Sequence, residues 1–431
     1  MSSTSWVLCL VAAVGACSDG TMSPAPPPPP TTIAVAYCAG FEPNWVAFQD
    51  GDGAWTRAQP TPSGATTTFR SEFSADRGAI ATLSRSATLS VLSVLYGTPA
   101  ELVTAGDTNP RDCGPAPAKT LLGTVATLDT NETVFVGTSF GSRARVSVDR
   151  TFELKSLSSG PRDVLATSAT RTGGSDVITR LILRRDIDVP DSTTLPVLDF
   201  ASAEAFEPVV ANVTLAGLGP DGAASGTRLV TSHDEITVSP QFVTTTDVTR
   251  PYVALPESRL LANDFQLLSA SVTAATTGSA RSAALYFRAP TDRILTFGAP
   301  LIAPTFSTVA STPALRLRAR FVPQAEYDRA AVVSYQQGLT VFVTVSMTAA
   351  RSALGETGYD LVVPDLSGAA GFDPAWTLQP GGTLLWSAGR VGGTLGLGRD
   401  AVPSDGATRR SVNTGGRIDQ AAPCESPSWS C

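Results

Sequence analysis

From residue 314 the chain reads Ala-Leu-Arg-Leu-Arg-Ala-Arg-Phe, ending at Phe321. Apolar and arginine side chains alternate strictly from Leu315, and this period of two predicts a β-strand with one buried face. The apolar face carries Leu315, Leu317, Ala319 and Phe321, and the opposite face carries Arg316, Arg318 and Arg320. Strand-like runs at 340–345 and 359–363 continue the pattern between turn residues. We therefore expect several short strands to cover a buried core in this part of the chain.

The composition extends this prediction to the whole chain. Of its 431 residues, 16% are charged and 42% hydrophobic, and Thr, Ser, Val, Ala and Gly recur throughout. Such a mixture favours short strands and turns over helices. The length is about two to four times that of a usual domain, which favours several separate cores. The sequence predicts an all-β protein built of tandem, Ig-like β-sandwich domains.

Turn-rich and proline-rich stretches divide the chain into seven predicted segments. They are a signal peptide at 1–16, a lipidated cysteine with a proline-rich tether at 17–32, a disulfide-closed β domain at 33–113, β-sandwiches at 120–198, 199–300 and 301–399, and a loosely ordered tail at 400–431. In the first β domain, the Asp-Gly-Asp-Gly run at 50–53 predicts a hairpin turn, because Asp-Gly steps supply the positive φ of tight turns.

The N-terminus carries an export signal. Residues 6–16 form an apolar run without charged side chains, too short to cross about 30 Å of hydrocarbon as a permanent helix. Val14-Gly15-Ala16-Cys17 resembles the lipobox of bacterial lipoproteins, which implies cleavage before Cys17 and lipidation of that cysteine. Ser18 at the next position resembles lipoproteins sorted to the outer membrane. An uncleaved anchor or a signal without lipid is the alternative.

The run of prolines at 26–30 predicts an extended spacer between the lipid and the folded part. We therefore expect an exported protein that is anchored by lipid to the bacterial cell envelope, with the membrane as its first partner.

Four cysteines remain after Cys9 and Cys17 are set aside, namely Cys38, Cys113, Cys424 and Cys431. In an oxidising compartment they allow three pairings. We favour Cys38–Cys113 and Cys424–Cys431, because the first pair brackets a block of strands and the second closes a short loop. A metal site is the rival interpretation, but the thiols are scattered and the chain has one histidine. We expect no metal and no cofactor.

The segment 120–198 contains three motifs in order, namely Leu122-Gly123-Thr124-Val125, Asp149-Arg150-Thr151-Phe152 and Gly160-Pro161-Arg162-Asp163-Val164-Leu165. They give this segment a resemblance to the carboxypeptidase regulatory-like family of transthyretin-like β-sandwiches. It covers roughly a fifth of the chain and implies a supporting or binding module without catalysis. Arg162 departs from the family pattern, which tends to carry an aromatic residue there.

Two motifs suggest catalysis, but for both of them a structural role in a turn is the better interpretation. His233 is the single histidine, but its neighbours Ser232 and Asp234 are adjacent in sequence and point in different directions, so an exposed turn is expected. Gly137-Thr138-Ser139-Phe140-Gly141 matches a nucleophile elbow as a string. An elbow needs a helix after the serine, whereas a strand-like run follows here, so a β-turn is expected.

Ligand-binding candidates are few. Arg316, Arg318 and Arg320 suit phosphate or carboxylate groups of a glycolipid or acidic polysaccharide, although a solvated strand face is the simpler interpretation. Trp45 and Trp55, with Phe48, suit a sugar-stacking platform, although core packing is favoured. Asp50 and Asp52 suit calcium, although hairpin chemistry is favoured.

The function expected from these features is binding, adhesion or support at the envelope, without catalysis. The net charge of −7 disfavours nucleic acid as a partner, which leaves an envelope polysaccharide or protein. Two alternatives stay open, an extracytoplasmic hydrolase of polysaccharide or ester, and an accessory lipoprotein of an envelope transport or assembly complex.

Overall fold

The computed structural model describes residues 30–105, 119–138, 142–157, 160–172, 175–190, 192–219, 222–244, 249–274, 278–353, 358–397 and 401–420. Cys17, Cys113, Ser139, Cys424 and Cys431 lie outside these residues, as does the predicted signal peptide. Within the described part the chain is almost entirely β-structure, and the predicted all-β sandwich class is confirmed.

The strands follow one another through short turns. The first group comprises β1 Thr31–Cys38, β2 Trp45–Asp50, β3 Thr56–Arg57, β4 Thr61–Ser63, β5 Thr66–Phe73, β6 Gly78–Arg85 and β7 Ser90–Gly97, followed by helix α1 Pro99–Ala105. The second comprises β8 Lys119–Thr124, β9 Glu132–Gly137, β10 Arg143–Arg145, β11 Thr151–Leu157, β12 Pro161–Thr172, β13 Ser175–Asp188 and β14 Ser192–Thr194.

The third group comprises β15 Val209–Ala216, β16 Ala223–Val230, β17 Glu235–Thr244, β18 Thr249–Ala254, β19 Phe265–Thr273, β20 Ala280–Phe287 and β21 Arg293–Thr296. The fourth comprises β22 Thr305–Ala310, β23 Arg316–Arg320, β24 Ala330–Gln337, β25 Val341–Thr348, helix α2 Ala349–Ala353, β26 Asp360–Val362, β27 Gly382–Gly393 and β28 Thr408–Gln420.

One 12-stranded sheet runs through the described part of the molecule, in the order β17-β16-β19-β20-β28-β27-β24-β25-β7-β6-β2-β3. Three-stranded sheets pack on it and enclose separate cores: β1-β5-β4, β18-β15-β21 and β22-β23-β26. The second group forms its own pair of sheets, β10-β9-β12-β13 and β11-β8-β14, around a further core.

The largest core combines segments that the sequence analysis placed in different domains. It includes Trp45 of β2 and Leu92 of β7, together with Leu317 of β23 and Val345 of β25. β7 and β25 pair in parallel, with Val94 opposite Val345. The predicted segments 33–113 and 301–399 therefore share one sheet and one core and are not separate sandwiches. Parallel pairing needs no local turn, so the sequence around each strand carries no sign of it.

The tail predicted to be loosely ordered contains β28, which lies between β20 and β27 in the large sheet. This is a correction. Most side chains of β28 are polar, and among those described only Val412 is buried, so the apolar alternation of a strand is missing. Backbone hydrogen bonds along both sides hold the strand instead.

Two local predictions are confirmed. Leu315, Leu317, Ala319 and Phe321 are buried, as the alternation predicts. β2 and β3 form the predicted hairpin, with Phe48 opposite Thr56, and Gly51 in the turn has a φ of +58°. Asp50 supports the turn, because its carboxylate accepts hydrogen bonds from Ser74 N at 3.0 Å and Ala75 N at 2.9 Å.

Candidate functional site

An open groove lies between β26, the edge strand of its sheet, and the turn that joins β2 to β3. Two adjoining cavities of about 500 and 550 Å³ form it, and they share Asp52, Tyr96 and Val362 in their walls. Tyr96 of β7 and Met347 of β25 are cross-strand neighbours on the large sheet and line its floor. We call this feature the arginine groove, because Arg77, Arg316, Arg318 and Arg351 line it.

At one end, two guanidinium groups converge on a single carboxylate. The Arg351 Nη2 atom lies 3.2 Å from Asp52 Oδ1, and Arg77 Nη2 contacts Asp52 Oδ2. The β2–β3 turn presents Asp52, while Arg77 directly precedes β6 and Arg351 lies on α2. The side chain of Asp52 is 62% exposed, whereas that of Arg351 is 14% exposed. The carboxylate therefore faces solvent above a more deeply set guanidinium.

In the middle of the groove, β23 and β26 bring arginine and aspartate side by side. Arg320 is directly opposite Asp360 in the strand register, and Arg318 is opposite Val362. Arg318 Nε lies 3.2 Å from Asp360 Oδ1, and Arg320 Nε lies 3.3 Å from Asp360 Oδ2. The Asp360 carboxylate therefore pairs with two guanidinium groups, as the Asp52 carboxylate does.

At the other end, Arg316 meets Asp365 beside Trp55. Arg316 Nε donates to the carbonyl oxygen of Val363 at 3.1 Å, and its Nη1 atom lies 3.6 Å from Asp365 Oδ2. Hydrogen bonds from the Ser367 hydroxyl and backbone N–H lower the pKa of Asp365, and the Arg316 charge adds to this effect. Trp55 is half-buried and lines the same end.

Tyr96 adds a neutral hydroxyl to the floor. Its oxygen lies 3.5 Å from the carbonyl oxygen of Val362. Burial raises the pKa of Tyr96, and the nearby Arg351 and Arg316 charges offset only part of that rise. The phenol therefore stays protonated at neutral pH and is able to donate a hydrogen bond.

The structure brings together three of the five binding candidates. Arg316, Arg318 and Trp55 all line the arginine groove. Arg320 reaches Asp360 without lining either cavity, and Trp45 is buried, with its indole N–H donating to the Ala370 carbonyl at 3.1 Å.

Trp45 and Phe48 do not share a surface that could serve as the aromatic platform considered as an alternative from the sequence. Trp45 and Phe48 are both 2% exposed and belong to two different cores, on opposite faces of β2. Because their residue numbers differ by three, the strand period places them on opposite faces. Core packing, the interpretation favoured from the sequence, explains both rings.

Sequence reasoning missed five charged or phenolic groove residues, namely Arg77, Tyr96, Arg351, Asp360 and Asp365. They come from different parts of the chain, and only the tertiary fold brings them together. A single sequence therefore carried no local signal for them.

The other candidates stay apart from the groove. His233 is exposed in the turn between β16 and β17, with its Nε2 atom 3.0 Å from Asp186 Oδ1. Ser139 falls outside the described residues, between β9 and β10, which pair as a hairpin. The carboxylate of Asp50 accepts hydrogen bonds within its own turn. Among the described residues, no group of three or more His, Cys, Asp or Glu side chains is suited to hold a metal ion.

Cys38 lies at the end of β1. The other cysteines all lie outside the described residues, so the pairing with Cys113 stays a prediction, as does the pair Cys424–Cys431.

The chain was compared with protein-family models and with curated proteins. No protein-family model matches the chain, and no curated protein matches it. Among the described residues, no helix is both long enough and apolar enough to pass through a membrane.

Proposed function

We propose that this chain is an exported, lipid-anchored envelope protein that binds an extended polar ligand in the arginine groove. The observation that carries the proposal is the groove itself. It gathers guanidinium groups from β23, α2 and the residue before β6, carboxylates from β26 and from the loops that carry Asp52 and Asp365, and the indole of Trp55 along one open channel. Ligand sites are typically concave and combine aromatic surface with a few convergent polar groups.

The residues that line the groove suit binding without covalent chemistry. A glycosidase needs one carboxyl held in its protonated form by apolar surroundings. Asp52, Asp360 and Asp365 instead all face guanidinium groups, and the pKa of Asp365 is lowered. We therefore place binding ahead of hydrolysis.

The proposed export and lipid anchoring rest on the sequence alone. Val14 to Cys17 supplies the lipobox pattern, and the prolines at 26–30 supply a spacer that would hold the groove away from the lipid surface. A polysaccharide or protein of the envelope would then be within reach.

Trp55 provides the test of groove binding. It is one of six tryptophans, so a Trp55→Phe variant isolates its contribution to the emission spectrum. Soluble fragments of envelope polysaccharide should change the emission of the wild type and leave that of Trp55→Phe unchanged. Fragments that bind by calorimetry without changing Trp55 emission would contradict the assignment of the groove.

Metabolic labelling with a palmitate analogue tests the anchor. We expect label in the wild type and none in Cys17→Ala, with the variant leaving the membrane fraction. A wild-type protein that is unlabelled and soluble would contradict the lipid anchor without affecting the groove.

A further inference from the structure

We propose that the arginine groove selects a saccharide chain that carries carboxylate groups. This inference rests on the proposed function and names the ligand class for the same site. The charge of the groove, the burial of its arginines and its open shape support this inference.

The lining is more positive than the protein as a whole. Four arginines and three aspartates, Asp52, Asp360 and Asp365, line the two cavities, while the chain has a net charge of −7. The lining thus has a surplus of one positive charge in a protein that is acidic as a whole. It favours an anionic ligand over a neutral one.

The existing ion pairs leave the guanidinium groups available. Asp52 serves both Arg77 and Arg351, and Asp360 serves both Arg318 and Arg320. The Asp52 carboxylate is 62% exposed, and ion pairs with exposed groups contribute little to stability, so a second carboxylate competes with it at small cost. The Nε atom of Arg351 is buried without a hydrogen-bond partner among the described residues, and that of Arg318, although 3.2 Å from Asp360 Oδ1, makes no hydrogen bond there. The planar guanidinium fork matches a carboxylate in two-point contact.

The remaining surfaces suit a sugar ring. Trp55 and Tyr96 offer apolar ring surface to the C–H face of a pyranose, while Ser352, Gln49 and Ser367 offer hydrogen-bonding groups for hydroxyls. The two open cavities adjoin end to end, which suits consecutive units of a chain.

An acidic peptide is the competing ligand, and the structure favours it less. A peptide bound at a sheet edge gains affinity from backbone pairing along a strand. β26 has three residues and is followed by Val363 and Pro364, so it offers a short edge for such pairing.

The experiment compares three soluble probes by calorimetric titration. They are an oligogalacturonate, its fully methyl-esterified neutral form, and an oligoglutamate with the same number of carboxylates. The proteins are the mature wild type, Arg351→Gln, Arg318→Gln, and Arg417→Gln as the matched control. Arg417 also pairs with an aspartate, Asp419, but lies on β28 outside the groove. Circular dichroism checks that each variant folds.

We expect the oligogalacturonate to bind the wild type and Arg417→Gln alike, and the ester and the peptide to bind much more weakly. Arg351→Gln and Arg318→Gln should each lose about tenfold or more in affinity, the usual effect of one charge-assisted hydrogen bond. Equal binding of the ester, or equal binding of the oligoglutamate, would overturn the acidic saccharide while leaving groove binding intact. No binding of any probe, or binding that both groove variants leave unchanged, would overturn the proposed function as well.

Discussion

Asp52 contacts both Arg77 and Arg351, and its single negative charge offsets one of their two positive charges. Asp52→Asn removes that charge and keeps the shape of the side chain. We expect the affinity for oligogalacturonate to rise severalfold at low salt, and the gain to shrink at high salt, where charges are screened. Titrations at two ionic strengths measure both. An unchanged or lower affinity in Asp52→Asn would show that the two guanidinium groups do not reach the ligand.

Asp50 stabilises the turn that presents Asp52. Burial raises the pKa of Asp50, but hydrogen bonds from the Ser74 hydroxyl and backbone and from Ala75 together outweigh it, and the pKa is lowered. A lowered pKa stabilises the folded state above the ordinary value of 3.8, and this stabilisation is lost as pH falls through the folded-state pKa.

Asp50→Ala should therefore cost about 1–2 kcal/mol of unfolding free energy at pH 7. Urea unfolding at pH 7 and near pH 2 measures the difference between the wild type and the variant. The difference should shrink at the lower pH. A cost that is the same at both values would mean that the ionised carboxylate does not hold the turn.

Between elements, an ion pair joins β12 to the turn before β17. Asp234 has a side chain that is 0% exposed, and it accepts hydrogen bonds from Arg162 Nη1 at 2.8 Å and Asp163 N at 2.9 Å. Burial raises the pKa of Asp234 above its ordinary value, and those hydrogen bonds offset part of the rise. Because the folded-state pKa is raised, the contribution of this carboxyl to stability is full at low pH and is lost as pH rises through that pKa.

Arg162→Met leaves the buried carboxyl without its guanidinium. We expect a loss of about 3 kcal/mol or more at pH 7 and a smaller loss near pH 4, where Asp234 takes up a proton more readily. The double variant Arg162→Met with Asp234→Asn should recover part of the loss, since no buried charge remains. Chemical denaturation of the three proteins measures this cycle. Purely additive losses would contradict the coupling.

Across the whole molecule, β28 is the strand that connects the third group of strands to the fourth in the large sheet. A chain that stops after Ala407 exposes the edges of β20 and β27, and exposed edges promote aggregation. We expect this truncation to aggregate or to unfold in two steps, and a chain that stops after Gln420 to unfold as the wild type does. Size-exclusion chromatography and scanning calorimetry separate the outcomes. A stable monomer without β28 would contradict its central role.

The sequence predicted the fold class and the buried face of β23, because both follow from local alternation and composition. It also predicted the β2–β3 hairpin from its Asp-Gly turn. It could not predict that β7 pairs with β25 or that β28 enters the sheet, because those pairings join distant segments through backbone groups that every residue carries. For the same reason it placed segments 33–113 and 301–399 in separate domains, although they share one sheet and one core.

The candidate site was predictable in part. Arg316 and Arg318 stood out because charged residues repeat on one face of a strand, and Trp55 because it follows a turn among aromatics. Arg77 and Arg351 are ordinary arginines in sequence. Their role arises from the carboxylate that the fold places between them.

Hydrogen exchange with and without oligogalacturonate locates the bound saccharide on the native protein, without a mutation. If the arginine groove binds it, exchange slows in peptides that cover residues 49–57 and 358–369, which flank the groove. The sheet of β15, β18 and β21 lies elsewhere in the fold and should exchange as before. Protection on that sheet, or saturating ligand with no protection at the groove, would contradict binding in the groove.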